Sequence, residues 1–292
     1  MIFKSLTDII NFAENENIEF WEAVLQKDCF DKQYKDWESF EKMRSMYRAM
    51  EEADRSYDPK LKSGSMLAGG DGDRIERYFE SCHSMSGSFI GKVMARAVKM
   101  AESNACMKRI VAAPTAGSCG VIPAVLITVK EKYNIDEDDI VKALFTAAGV
   151  GEIIAHRASI SGAKGGCQAE IGSSSAMAAA AIAHIMGGSN EDIINAAAIA
   201  LKGLLGLSCD PVAGLVEVPC IKRNALGAVN AITSADMALA GVRSVIPPDE
   251  VIDAMGDIGD AMPACIKETS TGGLAVTPTA VDITEKLKIQ AD

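Results

Sequence analysis

Apolar residues recur at three- and four-residue spacing along nearly the whole chain, and runs of β-branched residues at every second position are scarce. The pattern predicts an all-α fold, a single helical domain of closely packed Ala/Gly-rich helices. Residues 5 to about 57 read as amphipathic helices, with Trp21, Trp37, Tyr47 and the Met43, Met46, Met50 series assigned to core or interface. LKSGSMLAGGDGDRIERY then breaks the period at Gly64, Gly69, Gly70 and Gly72, and a new helix is expected near Asp73. A long helix should follow through about Met107, preceded by His83 among serines. APTAGSCGVIPAVLITVKEKY repeats the arrangement of a small-residue loop feeding an apolar helix. From about Glu137 one helix is predicted to break at Gly149–Gly151, with a second leading to SGAKGGCQAE. The segment after it, EIGSSSAMAAAAIAHIMGG, is almost all small residues, so it should be the central buried helix, with His184 a satisfied core histidine. A further helix is capped near Ser189, and IKRNALGAVNAITSADMALAGV is helical again. Residues 1–60 form an N-terminal helical segment packed on a main domain of residues 61–292.

Two stretches lack Asp, Glu, Lys and Arg for about a membrane's span, Ile110 to Val129 and Ile171 to Asn190. Pro114, Gly117, Gly120 and Pro123 interrupt the first, and Ser, Ala and Gly dominate the second, so both point to protein interior rather than lipid. With 292 residues the chain can bury roughly three quarters of its unfolded surface, and core size does not limit it. Lys and Arg number 29 against 40 Asp and Glu, net −11, with no basic stripe. That disfavours nucleic acid and anionic membranes as partners. A small anionic substrate must then be met by particular amides and cations. Acidic residues in the first 23 positions interrupt any export signal, so a cytoplasmic location and reduced thiols are expected.

Three of the eight cysteines stand in glycine- or proline-punctuated surroundings. Cys167 follows Gly165-Gly166, Cys209 precedes Asp-Pro, and Cys220 follows Pro219, which places all three in loops or at helix ends where backbone can wrap an inorganic group. Their separations, 42 and 11 positions, fit neither a compact zinc knuckle nor a ferredoxin-like run. Three thiolates would leave one iron of a cubane cluster without a protein ligand; three ordinary buried cysteines are the other reading, and the residues by themselves leave both open. The loops before two helices, with Gly69 and Gly70 in one and Thr115, Gly117 and Ser118 in the other, are candidate anion sites. Asn224, just past Cys220, is placed to point at the same centre.

The strings APTAGSCGVIPAVL, GCQAEIGS, LGLSCDPVAGLVEVPCIKRNA and KETSTGGLA together resemble the α chain, or catalytic domain, of iron-sulfur L-serine dehydratase, in order from about Ser63 to the C-terminus. The resemblance implies a [4Fe-4S] cluster on Cys167, Cys209 and Cys220, held by cluster-binding loops, and deamination of L-serine to pyruvate and ammonia without pyridoxal phosphate. It further implies that Ser63, Ser65, Gly69 and Gly70 hold the substrate carboxylate, that Lys267 and Thr269 contact substrate, and that a separate β subunit joins the chain in a homo- or hetero-oligomer. Cys119 stays unassigned and Cys265 reads as structural. The base that takes the α-proton is not identified by the residues. Lys164, three positions before Cys167, is a candidate, with charge balance its other role. The rivals are a pyridoxal-phosphate dehydratase with Lys164 as Schiff-base lysine, and a non-catalytic helical iron-sulfur subunit.

Overall fold

The structure, a computed structural model, describes residues 2–81 and 84–291. Among these residues there are thirteen α-helices and no strand: α1 (Leu6–Glu16), α2 (Phe20–Lys32), α3 (Asp36–Arg55), α4 (Asp71–Ser81), α5 (Gly87–Ala105), α6 (Val121–Tyr133), α7 (Glu137–Arg157), α8 (Gly162–Gly165), α9 (Ser173–Ile185), α10 (Asn190–Lys202), α11 (Cys220–Leu239), α12 (Pro248–Ala261) and α13 (Pro278–Ala291). The all-α expectation holds, and the reason is local. At the starts of α1 and α10 a side chain meets an orphan amide: Ser5 accepts from the Asp8 amide, and Ser189 from that of Asp192, with Asp192 reaching back to the Ser189 amide.

At the centre lies α9. Ser173 through Ala183 are all buried, and α6, α7, α10 and α11 pack around them. Small side chains let four helices approach one axis closely, so the attraction comes from backbone-to-backbone dispersion rather than from large side chains. The buried serines on this helix are partly bonded within the bundle: Ser174 Oγ donates to the Ile171 carbonyl and Ser175 Oγ to that of Gly227. α6, the other charge-free stretch, is likewise buried in protein from Val121 to Val129. No helix among the described residues is long and apolar enough to cross a membrane.

One hydrophobic core runs from Phe3 to Met255, so α1–α3 share it with the helices that follow. Tyr47 and Met50 are buried in it, whereas Trp37 and Met46 lie out of phase on α3 and are exposed. The expected break at Gly149–Gly151 is absent: α7 runs unbroken from Glu137 to Arg157. A Cβ on Gly149 would lie 2.5 Å from Val24 Cγ2, and one on Gly151 would lie 2.8 Å from Met177 Sδ and Cε. The two glycines therefore admit α2 and α9 to the surface of α7, and they punctuate packing rather than backbone. α4 begins at Asp71, two residues before the expected start. His184 is half-buried at the end of α9 rather than in the core, and burial holds its pKa below the usual imidazole value. His83 lies outside the described residues.

Candidate active site

Each of the three cysteines sits where regular helix begins or gives way. Cys167 caps a single π-turn, Gln168–Gly172, that runs into α9. Such turns are rare and concentrate at functional sites. Cys209 lies in extended backbone that pairs with the C-terminal loop: its amide donates to the Ile266 carbonyl at 2.8 Å, and its carbonyl accepts from the Glu268 amide at 2.7 Å. Cys220 is the first residue of α11. Cys167 and Cys209 are buried and Cys220 is half-buried.

The fold brings these three thiols within electrostatic reach of one another. Burial pushes Cys167 up to about 11 and Cys220 up to about 12, and Cys209 higher still, because burial is reinforced by Glu170, Cys167 and Cys220. Three thiolates held this way repel one another and lack water, so only a cationic group bound among them would keep all three ionised. Among the described residues no three His, Cys, Asp or Glu side chains close around a point that would hold a single metal ion. Of the other described cysteines, Cys119 is buried with its thiol directed at the Met100 carbonyl, and Cys265 is exposed on a 3-10 turn rather than on a full helix.

Two charged residues that sequence reasoning passed over complete the site. Glu170 follows Cys167 by three positions, and Arg223 follows Cys220 by three, the spacing that returns a side chain to the same face of a helical turn. That spacing was the signal available in the sequence. Thr115 Oγ1 donates to Glu170 Oε1 at 2.9 Å, and burial holds the Glu170 carboxyl above the usual range. Its other oxygen borders Gly162, where a Cβ would lie 2.8 Å from Glu170 Oε2 and 3.0 Å from Cys209 Sγ. Gly162 is therefore the cradle in which carboxylate and thiol meet. Arg223 donates to the Ser208 carbonyl at 2.6 Å and to Asp210 Oδ1 at 3.0 Å.

The loops expected to contact a ligand gather here to different degrees. Asn224 is fully buried; its Nδ2 donates to the carbonyls of Gly117 and Cys220, and its Oδ1 accepts from the Gly120 amide. It ties the Thr115–Ser118 turn to the start of α11. Thr115 and Gly117 stay half-buried beside Glu170, while Ser118 is buried. Lys267 and Thr269 belong to the loop paired with Cys209, and Thr269 Oγ1 donates to the Ala264 carbonyl. In the first loop, two protein carboxylates occupy most of the donors. Ser63 and Ser65 both donate to Glu217 Oε2, at 2.9 and 2.5 Å. The amides of Gly69, Asp71 and Gly72 donate to the buried Glu102, which also accepts from Tyr57. Gly70 takes a left-handed φ of +83° in the same turn. Lys164 is exposed and lines a cavity of about 220 Å³ with Arg157, Asp253 and Asp260, which none of the three cysteines lines.

Residues 15–275 match the family model described as serine dehydratase alpha chain. The chain is 46% identical over 286 residues to the probable L-serine dehydratase, alpha chain, of Bacillus subtilis, covering 98% of this chain and 95% of that one. It is 42% identical over 277 residues to the L-serine dehydratase, alpha chain, of Peptoniphilus asaccharolyticus, covering 94% and 95% respectively. It is also 36% identical over 281 residues to the L-serine dehydratase of Helicobacter pylori, where 94% of this chain matches 58% of a longer protein.

Proposed function

Because the chain belongs to the serine dehydratase alpha chain family, we propose that it acts as an L-serine ammonia-lyase whose centre is a [4Fe-4S] cluster on Cys167, Cys209 and Cys220. The observation that carries this reading is that three thiols, distant in sequence, come within electrostatic reach of one another and of the buried Glu170 carboxylate, with Cys209 and Glu170 both bordering Gly162. Dehydration of serine needs removal of a weakly acidic α-proton and departure of hydroxide, a poor leaving group. When bound, the cluster supplies a Lewis-acidic iron free of protein thiolate, suited to the charge that develops on the leaving oxygen.

The chain's own residues do the rest. Glu170 takes the α-proton in this reading: burial makes its carboxylate a stronger base than usual, and Thr115 holds its orientation. Lys164 lines the separate cavity with Arg157, Asp253 and Asp260, which none of the three cysteines lines, and this argues against it as the base. The substrate carboxylate is met by Lys267 and the Gly117 turn, while Ser65, Thr115, Ser118 and Thr269 give their hydroxyl protons to Glu217, Glu170, Thr115 and Ala264 and so shape the loops around it. Ser63, Gly69, Gly70 and Asn224 hold these loops in register, since their polar groups or backbone are committed inside the protein. The enamine that leaves the site tautomerises and hydrolyses to pyruvate and ammonia in water. A separately encoded β subunit completes the enzyme, in keeping with the alpha-chain names of the relatives.

The test is an anaerobic preparation assayed for pyruvate from L-serine, with and without a partner chain, alongside Mössbauer spectroscopy of iron-57-labelled protein. L-serine should shift one iron subsite and leave three unchanged, and aeration should abolish an activity that ferrous iron and thiol restore. Iron-free protein that keeps full activity, or a spectrum unmoved at saturating serine, would remove the cluster from the reaction.

A further inference from the structure

The three cysteines arrive from three separate segments, and a single side chain touches the surroundings of all of them. Arg223 lies on α11 one turn after Cys220, with 13% of its side chain exposed. Its guanidinium donates at 2.6 Å to the carbonyl of Ser208 and at 3.0 Å to the carboxylate of Asp210, the two residues on either side of Cys209. The same guanidinium stands beside the Cys167 sulfur. Asp210 extends the connection, because its second oxygen accepts from the Leu274 amide at 2.9 Å and so draws in the loop already paired with Cys209.

The structure assigns Arg223 the role of a positioning residue that holds the Cys167, Cys209 and Cys220 segments in register, an inference that rests on the reading of these cysteines as ligands. The chemistry demands arginine. A planar fork with five N–H donors reaches a carbonyl, a carboxylate and a sulfur in fixed directions at once, whereas a lysine ammonium at the end of a flexible stem cannot span them together. The Asp210 carboxylate offsets the guanidinium charge, so the clamp adds no uncompensated cation to a buried site. Packing supports the same division of labour. Arg223 stands three positions after Cys220 and Asn224 four, and Asn224 fastens the Thr115–Ser118 turn as Arg223 fastens the other two cysteine segments.

The inference is tested on Arg223→Lys and Arg223→Gln, with two measurements. In the iron-free chain, the thiol-bridging reagent dibromobimane is allowed to react under anaerobic conditions, and bridged peptides containing Cys167, Cys209 or Cys220 are quantified by mass spectrometry. Wild-type protein should give bridged pairs among the three, and Arg223→Lys should lower their yield at least fivefold while circular dichroism shows the same helix content. In the iron-loaded chain, loss of cluster absorbance to a chelator should be at least tenfold faster for Arg223→Lys than for wild type. Bridging and iron loss that match wild type in Arg223→Lys would overturn the assignment. Should Arg223→Gln fail to fold, Arg223→Lys carries the test. A wild-type chain that bridges its thiols in an Arg223-dependent manner yet binds no iron would support the clamp and refute the ligand reading, so the two fail separately.

Discussion

The Gly162 cradle makes a demanding prediction about a single methyl group. Gly162 opens the short helix α8 without a left-handed φ, so alanine fits the backbone there and its higher helix propensity stabilises the turn by up to about 1 kcal/mol. The added Cβ, however, would lie 2.8 Å from Glu170 Oε2 and 3.0 Å from Cys209 Sγ. Ordinary contact is about 3.5 Å or more, so the carboxylate and the thiol must each retreat by roughly half an ångström. Overpacking of this kind costs about 1–3 kcal/mol, which leaves a net destabilisation of about 0–3 kcal/mol and a fall in Tm of a few degrees. Catalysis should suffer far more, because misplacing a reacting group on this scale costs up to about 100-fold. Gly162→Ala should therefore melt near the wild type, lose kcat with little change in KM, and release iron to chelator more quickly. Calorimetry, anaerobic kinetics and chelator challenge on the same preparation measure all three. A variant with wild-type kcat and iron retention would show that Glu170 and Cys209 do not share the cradle in the working enzyme.

Other expectations follow from the same geometry. Cys167→Ser, Cys209→Ser and Cys220→Ser should each abolish cluster absorbance, while Cys29→Ser, Cys106→Ser and Cys265→Ser keep it; loss of absorbance in Cys265→Ser with retention in Cys167→Ser would reverse the ligand assignment. Glu102→Ala strands the amides of Gly69, Asp71 and Gly72 and should cost about 3–5 kcal/mol in urea unfolding; a loss below about 1 kcal/mol would mean that water replaces the carboxylate. Burial lowers the His184 pKa, so the unfolded chain takes up a proton at that residue before the folded one does. Its contribution is complete above about pH 6.5 and declines as pH falls through the folded value, and His184→Gln should flatten the slope of urea midpoints across that window.

Much of this protein was legible in its sequence, for reasons that are local. Helix spacing, serine caps and the scarcity of alternating β-branched runs fix an all-α chain, and the small-residue run after Cys167 can bury itself only if other helices close around it. The cysteines stand out because glycine and proline beside them free or bend the backbone, and the long shared strings carry the family. What the sequence left open depends on partners far along the chain. Gly149 and Gly151 look like a helix break until Val24 and Met177 are seen pressed against them. Ser63 and Gly69 look like free donors until Glu217, 154 positions from Ser63, and Glu102, 33 from Gly69, are found to occupy them. Lys164 is close to Cys167 in number, yet it lines a cavity with Asp253 and Asp260, residues far from it along the chain. Glu170 and Arg223 acquire their roles only when Thr115, Asp210 and the three thiols come within reach. Periodicity encodes which face of a helix is buried, but the identity of the groups across that face is a property of the packed bundle.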